Sequence, residues 1–109
     1  MSNKPAILIN VLKVEPEKQE ALIVLLKQNI DAVVRTLDGW QSSRLIAAAD
    51  GTNVVIYSEW HTPAAIDAMR NDPRMKAYLP QILALASIDS LIGATVLSVG
   101  EERPNRLDR

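Results

Sequence analysis

The chain is predicted to adopt an α+β fold of the ferredoxin-like kind, with β-α-β-β-α-β order and a four-stranded antiparallel sheet. Three observations carry this expectation. Residues 6–14 form an apolar, β-branched run broken only by Asn10 and Lys13. Asp50-Gly51 is a tight-turn signal between two further strand-like runs, residues 40–48 and 54–60. Helix-start chemistry then separates the third of these strands from a last apolar run at 92–99.

In residues 6–14, Ile7, Ile9 and Val11 alternate with Ala6, Leu8 and Leu12, so both faces are apolar, as in an interior strand. Pro16 opens the first helix where its missing N–H costs nothing. Leu22, Leu25, Leu26, Val33 and Leu37 recur at three- and four-residue steps and make a core-facing stripe. Gly39 supplies the left-handed stop that such helices favour. After the central hairpin, Thr62-Pro63 and Asp72-Pro73 each place a capping side chain before a proline at the first helical position. Pro80 disfavours helical geometry at Leu79, so the second of these helices is expected to kink or restart there, with residues 81–86 forming a further turn or two. Residues 92–99 are expected to be the last strand. A single domain, residues 1–100, would then be followed by a polar C-terminal tail at 101–109.

A chain of 109 residues is one domain's worth, and its 48% apolar and 23% charged composition reads as globular. With a net charge of −1, nothing points to nucleic acid or to an acidic membrane surface. No apolar run approaches the roughly 18–20 residues that span a bilayer. No signal peptide is recognisable at the N-terminus, and a cytoplasmic protein is the expectation. The absence of cysteine removes disulfides, thiolate nucleophiles and Cys-based metal sites. A lone histidine without clustered carboxylates makes no metal site either.

Two helical segments cover one face of a sheet, whereas the first and third strands are apolar on both. The uncovered face would be a wet apolar patch. Burial contributes about 25 cal/mol per Å², so a homodimer packed sheet against sheet about a two-fold axis is expected.

Several residues are candidates for chemistry. Asn10 is the only uncharged polar side chain amid the first strand's apolar residues, on the face of Leu8 and Leu12. Buried there, its amide holds either a ligand atom or a backbone group. Trp60 shares a face with Ile56 and Ser58, and is either a core tryptophan or a stacking surface with an N–H to donate. His61, at a strand-to-helix junction, is either a base or a solvated loop residue. Arg44, in mid-strand, reaches an anionic group or sits at a surface. Met69 and Tyr78, on the short helices, roof a cavity or fill the core. Asn29 stands on the first helix's stripe where a leucine would be expected. No phosphate loop, G-x-S-x-G or nucleophile–base pair is present, so catalysis would need a shaped, dry pocket and a reactive substrate.

The runs Ile9-Asn10-Val11-Leu12-Lys13-Val14, Asp38-Gly39-Trp40, Asp50-Gly51-Thr52, Val54-Val55-Ile56-Tyr57-Ser58-Glu59-Trp60 and Asn71-Asp72-Pro73 occur in order. In their order and spacing the chain resembles the antibiotic biosynthesis monooxygenase domain family, small dimeric α+β barrels, from about Ile7 to Val99. The resemblance implies one of three activities. Anthrone monooxygenases oxidise tricyclic phenols to quinones with O₂ and no metal or flavin. Quinol monooxygenases act on smaller dihydroxyarenes, and haem-degrading members bind haem through a histidine on the second helical region. Asn10 and Trp60 match the asparagine and tryptophan that anthrone oxygenases use near the substrate. Ile56 stands where several of them have a second asparagine. Tyr78 stands nearest to the haem enzymes' axial histidine, so haem degradation is not expected. The resemblance thus implies a cofactor-independent, homodimeric monooxygenase that uses O₂ to oxidise a hydroxylated polyaromatic, such as an anthrone or dihydroquinone, to a quinone. In this reading Asn10, Trp60 and His61 are catalytic candidates, and Ile56, Arg44, Met69 and Tyr78 contact the substrate. A cyclase-like or hydrophobic small-molecule-binding protein on the same scaffold is the alternative, favoured by the apolar Ile56.

Overall fold

A computed structural model describes residues 5–100. The tail expected at 101–109 lies outside the described residues. Strand β1 (Ala6–Val14) leads through a 3-10 turn at Pro16–Lys18 into helix α1 (Gln19–Ala32). A second 3-10 turn at Val34–Thr36 precedes the hairpin of β2 (Trp40–Ala47) and β3 (Asn53–Trp60). Helices α2 (Pro63–Asn71) and α3 (Pro73–Leu83) follow, and β4 (Ala86–Gly93) completes the sheet. The strand order is β2-β3-β1-β4, with every neighbouring pair antiparallel. This is the ferredoxin-like arrangement, and β1 is interior, paired on both sides.

Local chemistry sets most boundaries. The Thr62 hydroxyl accepts the Ala65 N–H at 3.1 Å to cap α2. The Asp72 carboxylate accepts the Arg74 N–H at 2.8 Å to cap α3. Hydrogen bonds from the Arg74 side chain, and then from its backbone N–H, hold the Asp72 carboxyl below its usual pKa. At the hairpin, Gly51 has φ +83° and Asp50 accepts from both the N–H and the hydroxyl of Thr52.

Gly39, at φ +86°, is constrained twice over. A Cβ there would lie 2.6 Å from the Ala65 Cβ, and its carbonyl accepts the His61 N–H at 2.7 Å. Gly39→Ala is therefore expected to destabilise the fold by about 1–3 kcal/mol. A urea titration checks this, with a lower midpoint at unchanged slope.

The structure corrects three expectations. The first helix does not run to Leu37. Val33 leaves helical geometry (φ −125°, ψ −62°), and a 3-10 turn follows. Val33 and Val34 are both buried, so the apolar recurrence at 33–37 reflects burial of a β-branched pair by a turn. Helix α3 passes through Pro80 without restarting and ends at Leu83. The hydrogen bond that Pro80 cannot make would have gone to Lys76, an exposed residue whose carbonyl water can serve. The last strand lies about six residues earlier than expected, with Leu12 opposite Ile88, Asn10 opposite Ser90 and Leu8 opposite Ile92. The apolar residues that suggested 92–99 lie mostly beyond the sheet, where Val96, Leu97 and Val99 are 91%, 77% and 82% exposed.

Two apolar clusters fill the space between sheet and helices. One gathers Ala6, Leu8, Trp60, Ile66, Met69 and Val34, and the other Leu12, Val14, Val54, Leu22, Leu26 and Ile82. They sit at opposite ends of β1, with Asn10 between them. The sheet's other face is largely open and carries Ile9, Val11, Ile46, Val55, Tyr57 and Leu91, with Leu91 58% exposed, while Ile7 at one end of it is buried. The Tyr57 hydroxyl donates to Glu59 at 3.1 Å, and burial, then Glu59, raises its pKa.

Candidate active site

Between the two clusters lies a cavity of about 160 Å³. Alternation along the strands builds its floor: Leu8, Asn10 and Leu12 from β1, with Ile56, Ser58 and Trp60 from β3. The register sets Asn10 between Ile56 on one side and Ser90 on the other. Asn29 and Ile30 of α1, Met69 and Arg70 of α2, and Met75 and Ile82 of α3 form walls and roof.

The polar groups of this cavity are disposed unevenly. The Ser90 hydroxyl donates to Asn10 Oδ1, which leaves the Asn10 amide N–H₂ without a partner among the described residues. The Trp40 indole donates to Ser43 Oγ at 2.9 Å, and Ser43 Oγ donates to Ser58 Oγ at 3.4 Å. Asn29, 5% exposed, donates to Met75 Sδ at 3.3 Å, and a thioether is a weak acceptor. Trp60 is 1% exposed, and its indole N–H has no acceptor. A buried donor left unpaired costs about 1–3 kcal/mol. The folded chain carries that cost at one point on the cavity wall.

Among the described residues Arg70 is the one charged residue in the lining, which has no Asp, Glu, His, Lys or Tyr from them. Among the described residues no group of His, Cys, Asp or Glu side chains could hold a metal ion. No described helix is long and apolar enough to cross a membrane. Chemically, the site can receive an apolar ring and present donors to its oxygen atoms.

The structure brings Asn10, Ile56, Trp60 and Met69 together on this cavity and leaves three sequence candidates outside its lining. His61 follows Trp60, so alternation turns it the other way. Its ring is exposed, with Nδ1 3.4 Å from the Gln41 amide nitrogen. Arg44 pairs with Tyr57 on the open face of the sheet and is exposed. Tyr78 packs against the cluster around Leu12 and Ile82. Ser90 and Arg70 escaped sequence reasoning. The misplaced last strand hid Ser90, and only the cavity's outline reveals Arg70. Asn29, the polar residue on the helix stripe and a second candidate for a polar pocket lining, does line the cavity.

The sequence profile described as antibiotic biosynthesis monooxygenase matches residues 5–81. Tetracenomycin-F1 monooxygenase of Streptomyces glaucescens is 37% identical over 71 residues, 65% of this chain and 63% of that protein. The match thus spans less than two thirds of that relative's length. A Streptomyces coelicolor monooxygenase, solved in complex with the ligand nanaomycin D, superposes with a TM-score of 0.81 at 20% identity, covering 92% of this chain and 95% of that one. SnoaB, a cofactor-independent oxygenase from Streptomyces nogalater, gives 0.75 at 15% identity, covering 90% and 99%. At these identities the two structures speak to the fold alone.

Proposed function

The chain belongs to the antibiotic biosynthesis monooxygenase family, and from that premise we propose that it is a cofactor-independent monooxygenase oxidising a hydroxylated aromatic, such as an anthrone or dihydroquinone, to a quinone with O₂. The observation that carries this reading is Trp60, a residue of the cavity lining whose buried N–H has no partner among the described residues, with the free Asn10 amide in the same lining. Both are donors fixed before any ligand arrives. An oxygen that gains negative charge as the substrate loses a proton is what such donors stabilise most.

For an anthrone the steps balance without a further reagent. The substrate sheds a proton to water, and Trp60 and Asn10 donate to the resulting oxyanion. The electron-rich ring carbon reduces O₂ and forms a C–O bond, giving a hydroperoxide. Loss of water leaves one oxygen atom as the new carbonyl and removes the other. Among the described residues the lining holds no general base, so water takes the proton from a phenol or enol whose anion the two donors stabilise.

Size constrains the substrate. A cavity of about 160 Å³ suits one aromatic ring, since a dry cavity of about 150 Å³ accommodates benzene. Larger ring systems require the roof to move. Met69 and Met75, both in the roof, are the side chains best suited to re-pack. The relative named tetracenomycin-F1 monooxygenase and the nanaomycin D complex of a fold neighbour support an aromatic ligand.

The homodimer belongs to this reading. The open face is apolar at its centre, and the exposed Val96, Leu97 and Val99 continue beyond the edge strand β4. A second copy packed on this face would cover what the helices leave bare.

One observation favours the alternative, a cyclase-like or ligand-holding protein: Asn10 faces the apolar Ile56 across the ladder, and no titrating base lines the cavity. Oxygen uptake decides between the two. Chelator-treated protein given an anthrone or dihydroquinone in air should consume O₂ faster than the substrate autoxidises. Anaerobic binding with uptake no faster than the protein-free control would support the alternative and contradict the enzyme.

A further inference from the structure

We propose that the cavity selects a hydroxylated aromatic bearing a carboxylate, with Arg70 as the residue that recognises it. The proposal rests on the reading of this cavity as an aromatic-substrate site and names which members of that class it takes.

The donors and acceptors around the cavity do not match in number. Trp60 offers an N–H with no acceptor, Asn29 offers an amide to a thioether sulfur, and the Asn10 amide nitrogen has no partner among the described residues. The one acceptor oxygen of Asn10 is already taken by the Ser90 hydroxyl. A ligand that brings oxygen acceptors would satisfy the unpaired donors of Trp60 and Asn10.

Arg70 adds net charge to the same imbalance. It stands exposed at the end of α2, at the cavity's rim, and makes no ion pair among the described residues. Asp72, two residues on, holds Arg74 at 3.2 Å and caps α3. Asp67, one turn earlier on α2, forms no ion pair with Arg70. A planar guanidinium beside an apolar hollow matches a carboxylate in two parallel hydrogen bonds, whereas a neutral amide satisfies it poorly. The ring would then lie inward toward Trp60 and Asn10, with its acid group at the rim.

A cation in the last turn of a helix also interacts favourably with the helix dipole, and that role needs no ligand. The two roles separate in binding. Anaerobic calorimetric titration of the full chain with a dihydroxybenzoate and with the matching dihydroxybenzamide compares nearly equal shapes differing in one charge. The acid should bind about tenfold tighter at low salt, and the preference should shrink as salt is added. Arg70→Gln should bring the two within about twofold, chiefly by weakening the acid, and Arg70→Lys should retain part of the preference. Equal affinities in the unaltered protein, or a preference that survives Arg70→Gln, would overturn the proposal. Because no oxygen is present, a retained acid preference without aerobic turnover would instead count against the monooxygenase alone. Binding of neither probe would count against this proposal and the cavity reading together.

Discussion

Trp60→Phe is expected to lower kcat by about 10²–10³-fold while leaving thermal stability nearly unchanged, because removing one fixed donor from a developing oxyanion costs about that much. The stability half follows from burial. Phenylalanine fills most of the tryptophan's volume, and the remaining void costs about 1 kcal/mol. Against this, the substitution removes a buried N–H that has no acceptor, a group whose isolation costs about 1–3 kcal/mol. The two effects offset. A residue retained only for packing would show the opposite pattern, with stability falling and turnover intact. Trp40 is the internal control, since its indole already donates to Ser43 at 2.9 Å. Trp40→Phe should change stability modestly and leave the rate within a few-fold. Steady-state kinetics and thermal melts of both variants check this, and a fully active Trp60→Phe would remove the proposed role.

The second large effect concerns assembly. Leu91→Asp combined with Ile9→Asp should convert a dimer into a monomer at micromolar concentration, as read by sedimentation equilibrium. Ile9 pairs with Leu91 in the β1–β4 ladder on the open face, so two carboxylates would occupy the centre of the proposed interface. At about 25 cal/mol per Å², several hundred Å² of apolar contact contributes on the order of 10 kcal/mol, and two buried, unpaired charges would offset most of it. The side chains lie on the face away from the cavity, so each monomer should still fold. A monomeric unaltered protein under the same conditions would contradict the sheet-to-sheet arrangement.

Much of this fold was legible because its signals are local. The alternation in β1, the Asp50-Gly51 turn, and the Thr62-Pro63 and Asp72-Pro73 caps each state their geometry within a few residues. Strand β4 was misplaced because Ser87, Asp89 and Ser90 interrupt its apolar pattern, while the more apolar residues at 92–99 mostly lie beyond the sheet. Only its pairing with β1 defines it. The same distinction separates the site residues. Asn10, Ile56 and Trp60 could be assigned to one side of the sheet by strand parity. His61 and Arg44 needed knowledge of where a strand ends and which register a hairpin takes. Asn29 and Arg70 reach the cavity through the packing of α1 and α2 on the sheet, which no local pattern encodes.

The indole N–H resonances give the most direct test of the central claim, that the buried Trp60 N–H gains its missing acceptor from a ligand oxygen. The chain has two tryptophans, so an indole ¹⁵N–¹H spectrum holds two signals, assignable through Trp40→Phe. On anaerobic titration with a dihydroxybenzoate, the Trp60 N–H should shift downfield as it gains an acceptor, while that of Trp40 stays in place. A Trp60 signal that does not move at saturating ligand, or one that exchanges rapidly with solvent before any ligand is added, would contradict the account.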